Sequence, residues 1–108
     1  MKLYHIRLTD QAELDLAQIY SFVRRKSASS VVARNYVTRI KIFVSGFETY
    51  PERGTIREDL RPGLRIVGFE RRVSVAFIVE TTEVVVLRIL YAGQQFEIDE
   101  MSISAPSN

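Results

Sequence analysis

The sequence has no cysteine, no tryptophan, a single histidine and three prolines in 108 residues. Without cysteine there is no disulfide framework, no thiolate metal site and no thiol nucleophile. His5 alone cannot build a histidine cluster, and no other pattern supplies a zinc site, so neither metal nor cofactor is expected. Placed in a first strand, it also has no Ser-His-Asp arrangement to belong to. No apolar run approaches the roughly 20 residues of a membrane span. The N-terminus lacks the apolar stretch of a signal peptide. A cytoplasmic location without a membrane partner is the expectation.

Lysine is also scarce: three Lys (Lys2, Lys26, Lys41) stand beside twelve Arg. Arginine favours two-pronged contacts with carboxylates and phosphates. The net charge is +2, but no cation follows Arg88, while Glu97, Asp99 and Glu100 lie beyond it. The body before them is therefore distinctly basic. A mass of 12.4 kDa with 46% hydrophobic and 26% charged residues fits one domain with one core. Residues 1–98 are expected to form that domain, and 99–108 a frayed tail.

Hydrophobic periodicity divides the chain in two. In "KLYHIRL", Tyr4, Ile6 and Leu8 alternate with Leu3, His5 and Arg7, a half-buried strand. Thr9 or Asp10 can then cap a helix, and with Asp10 as cap Glu13 completes a capping box. Ala12, Leu16, Ile19, Tyr20 and Val23 recur at helical spacing to about Lys26. Ser29 or Ser30 opens a second helix, whose stripe is Ala33, Tyr36, Val37, Ile40, Val44 and Phe47. The short connection predicts an antiparallel helical hairpin. The period then changes to two. "GLRIVGF", "VSVAFIVE" and "EVVVLRILYA" read as three closely spaced strands, the first after a Pro62-Gly63 turn. The fold expected is α+β: β-α-α-β-β-β, an antiparallel sheet with the hairpin packed on one face.

Alternation assigns the sheet faces. Tyr4, Ile6, Leu8, Leu64, Ile66, Val75, Phe77, Val79, Val85, Leu87 and Ile89 form the expected core face. His5, Arg7, Arg65, Val67, Ser74, Ala76, Ile78, Val84, Val86 and Arg88 form the other. A face mixing Val and Ile with unburied cations suits docking. Ordinary β-branched residues on an open antiparallel face are the plain alternative. Elsewhere the bland readings dominate. Glu58-Asp59, Asp99-Glu100 and Arg71-Arg72 read as solvated charges. Gly63 and Gly93 serve a turn and a strand exit, and Tyr20 and Tyr36 pack.

In order along the chain, "LTDQAELDLAQIYSFV", the helical hairpin, "DLRPGLRIVGF" and "VVVLRILYAGQQFE" resemble the ParE/RelE superfamily, toxins of bacterial type II toxin–antitoxin modules. The resemblance spans roughly residues 3 to 97 and is nearest to ParE. The ParE-like pieces are Leu8-Thr9 with Ala12, Asp15, Leu16 and Ile19, then Leu60 to Arg65, then Leu87 to Gly93. The last piece departs from the usual pattern. Tyr91 stands where His is common, and Gln94-Gln95-Phe96 replaces a basic-acidic pair.

The resemblance implies one of two activities. RelE-type toxins are ribosome-dependent endoribonucleases. Attack of a 2′-OH on the phosphodiester there needs a base, cations for the developing charge and a proton for the leaving oxygen. Against that pattern Arg65 falls at one basic position, but Val67 and Ser74 occupy two others. Arg65 and Arg88 stay protonated and shuttle protons poorly. ParE-type toxins instead bind DNA gyrase and stall it on cleaved DNA without chemistry of their own. This reading is expected here, with no catalytic residue; a nuclease or a non-toxic antitoxin-binding orphan is the alternative. Arg65, Arg88, Val67, Ile78, Val86 and Tyr91 are the candidate residues for binding target or antitoxin. The partner implied is a cognate antitoxin whose C-terminal segment folds onto the toxin. Outer positions of the helical hairpin offer a second groove for it. Direct sequence-specific DNA binding is not implied.

Overall fold

The structure is a computed structural model that describes residues 2–91. Strand β1 (His5–Leu8) leads into α1 (Asp10–Ser27) and α2 (Ser30–Ser45). A single 3-10 turn (Gly46–Glu48) follows, then β2 (Thr55–Ile56), β3 (Arg65–Phe69), β4 (Val73–Val79) and β5 (Glu83–Tyr91). The sheet has five strands in the order β1-β5-β4-β3-β2.

Local chemistry accounts for the helix ends. Thr9, not Asp10, caps α1: its hydroxyl accepts from the Ala12 amide at 3.1 Å, so Glu13 does not complete a box. The same hydroxyl donates to the Leu87 carbonyl at 2.9 Å, tying the cap to β5. Ser29 caps α2 by accepting from the Val32 amide. Ala28 lies between the helices in the left-handed region, which lets α1 stop abruptly. Both stripes face the sheet. Ala12, Leu16 and Ile19 of α1 and Ile40 and Val44 of α2 share one core with Phe47, Val73, Val75, Phe77, Val84, Val86 and Ile89.

Three expectations are corrected. The sheet is mixed, not antiparallel: β1 runs parallel to β5, with His5 opposite Glu83 and Leu8 opposite Val86. Alternation within a strand states its faces but not its neighbour, and β1 and β5 are separated by the rest of the fold. A short edge strand, β2, adds to the expected order where "GTI" gives no periodic signal. The faces of β3 and of the first half of β5 are reversed. Arg65 lies opposite Phe77 and Val67 opposite Val75, on the helix side. Leu64 and Ile66 join Ala76, Ile78, Val85 and Leu87 in a smaller cluster on the other side. A bulge in the β4–β5 ladder, between Ala76 and Phe77 opposite Val86 to Arg88, explains β5. One extra residue shifts the alternation, so Val84, Val86 and Ile89 all face the helices.

The expected tail 99–108 lies outside the described residues, as do Gly93 and the Gln94-Gln95-Phe96 segment.

Candidate functional site

The element with the most unusual chemistry is the second half of β5. Strand β1 ends opposite Val86, so the β5 edge beyond that point lacks a strand partner there. Asp15, one turn into α1, takes that place. Its Oδ2 accepts from the Ile89 amide at 2.8 Å and from Arg88 Nε at 2.8 Å, and its Oδ1 accepts from Arg88 Nη2 at 3.0 Å. Both residues are buried, Asp15 at 3% exposure and Arg88 at 6%. A buried carboxylate held by a two-pronged guanidinium and a backbone amide has its charge compensated in place. This pair latches α1 to β5.

Two residues beyond the latch, Tyr91 ends the strand. Its ring lies 5.2 Å from Phe22 of α1 and 5.9 Å, edge-on, from Tyr36 of α2. The Tyr36 hydroxyl is buried and has no hydrogen-bond partner among the described residues. Burial, then Tyr91 and Glu70, push its phenol up from the ordinary 10.0, against the pull of Arg39 and Arg72. Arg39 stacks over the Tyr36 ring and makes a two-pronged pair with Glu70, both bonds at 3.0 Å. That hydrogen bond holds the Glu70 carboxyl below its ordinary range.

Beside the latch a groove of about 500 Å³ opens between the outer side of α1 and the end of β5. Leu14, Gln18, Phe22 and Arg25 line its helical wall, with Ile89 and Tyr91 on the strand side and Asp15 among the lining residues. Leu14 is 56% exposed, although a helix normally turns leucine inward.

The candidate residues named from sequence do not form one surface. Arg65 is half-buried on the helix side, its Nη1 donating to the Arg53 carbonyl at 3.4 Å. Val67 packs against the main core and Val86 is inside it. Ile78 belongs to the cluster on the other side. Arg88 is locked to Asp15, and only Tyr91 borders an open groove. The face expected to mix Val67, Val86, Arg65 and Arg88 with Ile78 therefore does not assemble, because the β3 and β5 faces differ from simple alternation. Asp15, one of the ParE-like residues, is not among those candidates, yet it holds the end of β5. Its signal was an acid in the buried stripe of α1, one residue before Leu16. Among the described residues no group of three metal-ligating side chains comes together. No helix there is long and apolar enough to cross a membrane.

Residues 6–96 match the family model for the ParE toxin of type II toxin–antitoxin systems, parDE. Among solved structures, one chain of a chromosomal ParDE toxin–antitoxin system from P. aeruginosa superposes with a TM-score of 0.71 at 26% identity. The match covers 84% of this chain and 98% of that one. No curated protein sequence matches.

Proposed function

The chain belongs to the ParE toxin family of type II toxin–antitoxin systems, and from that premise we propose that it inhibits DNA gyrase by binding, without catalysis of its own. The bound toxin holds the enzyme on cleaved DNA, and a cognate antitoxin neutralises it in the cytoplasm. The observation that carries the non-catalytic reading is the scattering of the sheet cations. Phosphodiester cleavage needs cations and a proton-transfer group within reach of one phosphate. Here Arg65 is on the helix side, Arg88 is neutralised by Asp15, and Val67 and Ser74 carry no charge.

The test is a titration of the purified protein into gyrase and relaxed plasmid. Supercoiling falls and cleaved DNA accumulates if the reading is right. Unaltered supercoiling, together with messenger cleavage on purified ribosomes, would replace it with the endoribonuclease reading.

The antitoxin segment belongs, on this account, in the groove between α1 and Tyr91. An amphipathic peptide places apolar anchors in such a groove and an acid beside its cation, and Leu14, Phe22 and Arg25 supply both. Leu14→Glu, at an exposed position, should therefore weaken antitoxin binding at least tenfold in calorimetry while leaving the melting temperature within a few degrees. Unchanged affinity would place the antitoxin elsewhere.

A further inference from the structure

Seven of the fifteen cations are gathered at one end of the molecule. Phe22, Tyr36 and Tyr91 pack together, and Tyr91 is opposite Val73 at the start of β4. This brings the last turns of α1, the first half of α2 and the β3–β4 turn to the end of the sheet where β5 finishes. Residues 20–39 and 69–73 hold seven cations and one acid, net +6, in a chain whose total is +2. The other described residues are close to neutral, with eight cations and nine acids, and Glu80 and Glu83 lie at the opposite end of the β4–β5 hairpin.

The single acid, Glu70, is taken up by Arg39. Arg24, Arg25, Lys26, Arg71 and Arg72 are all exposed. Among the described residues no ion pair engages any of these five. Arg24 and Arg25 line a shallow depression with Ala28, Ser29 and Ser30, at the start of α2. The first amides of that helix add positive potential to the same surface. Like charges so concentrated destabilise the folded chain by self-repulsion, and a polyanion relieves it.

We propose that this basic end is a sequence-independent docking surface for the phosphate backbone of duplex DNA. The inference rests on the gyrase reading, because it places the toxin against the DNA that gyrase holds. It deepens that reading by giving the toxin a second contact, to the nucleic acid rather than the enzyme. Duplex DNA is the occupant because it is the polyanion that the gyrase reading sets beside the toxin, and a local charge of +6 complements its phosphates whether carried by Arg or Lys. The anchors assigned to the antitoxin, Leu14 and Phe22, line the neighbouring groove on α1, which shares Arg25 with this end.

Fluorescence anisotropy with a labelled duplex of arbitrary sequence, in the absence of gyrase, tests this. Affinity should fall steeply between 50 and 200 mM salt, as roughly 0.9 counterions are released per neutralised phosphate. A contact of about four phosphates predicts a loss on the order of 100-fold over that range. The triple variant R24E/K26E/R72E should bind at least tenfold more weakly at 50 mM salt, and R24K/K26R/R72K should stay close to wild type. Unchanged melting temperatures show that both variants fold.

No binding at 50 mM salt overturns the proposal. So does binding that survives the charge reversal, or preference for a polyglutamate chain over the duplex. Because gyrase is absent, failure here is separate from failure of gyrase inhibition, which the supercoiling titration reads independently.

Discussion

Asp15 and Arg88 are 73 positions apart in sequence, yet they are the most tightly joined charged residues described in the molecule. Removing one partner leaves the other charge buried alone. Asp15→Ala should cost about 3–5 kcal/mol and additionally orphan the Ile89 amide; urea denaturation measures it, and a loss below about 1 kcal/mol would contradict the latch. It follows that charge reversal at Arg88 would report on folding before it reports on any partner. The sequence showed both residues within family-like motifs but not their pairing, since periodicity is local and the pair is not.

Tyr36 is the complementary case, a hydroxyl buried without a described partner. Tyr36→Phe should leave stability unchanged or raise it by up to about 1 kcal/mol. Its phenol is raised above 10.0 in the folded state, so its contribution is complete below that pH and is lost as pH rises through the folded value. The wild type should therefore lose more stability than Tyr36→Phe above pH 10, in parallel thermal melts. Identical alkaline profiles would contradict the assignment.

At the scale of elements, the helices were legible and the strand faces only partly so. Both helices show a 3.6-residue stripe and a Thr or Ser cap, signals that neighbouring structure does not alter. Strand β4 alternates cleanly, and its faces were read correctly. Strand β5 is buried on both sides, every residue from Val84 to Leu90 included, so its pattern cannot reveal where a bulge changes phase. In β3 the pattern "LRIVGF" places Arg65 inward, because Leu64 and Ile66 face the second cluster. Two glycines with positive φ show the same limit. Gly63 was visible in Pro-Gly and has open space around it. Gly54 was not singled out, yet a Cβ there would run into the Ile66 carbonyl and lie 2.9 Å from Val67 Cβ. Only the folded β2–β3 contact makes that glycine necessary.

The β3–β4 turn carries a further consequence. In the three-residue link from Phe69 to Val73, Glu70 and Arg71 have φ of 50° and 64°, left-handed conformations that glycine or asparagine supplies more easily. Arg71→Gly should raise stability by about 1 kcal/mol, the usual penalty for a side chain in the left-handed region. It also removes one charge from the basic end. A thermal melt showing no gain would mean that the turn is not strained by its side chain.

Across the whole molecule, charge and apolar surface are segregated. The helical hairpin covers one face of a mixed sheet, a small second cluster covers part of the other, and the α1 groove lies beside the latch. Seven of the fifteen cations, with one acid, gather at the end where β5 finishes. Family identity was legible because it is carried by ordered motifs spread over almost the whole chain. The candidate site was not, because it depended on face assignments that one bulge and one inverted strand overturn. Of the six candidate residues, Tyr91 is the one that lines the groove beside the latch.

The central claim is that the protein acts by stoichiometric binding to gyrase. The direct measurement is cleaved plasmid as a function of protein concentration at several fixed gyrase concentrations well above the binding constant. Cleaved DNA should rise with added protein and plateau at a protein concentration that scales with gyrase. A plateau independent of gyrase concentration, cleavage of DNA without gyrase, or no cleaved DNA at any ratio would contradict the account.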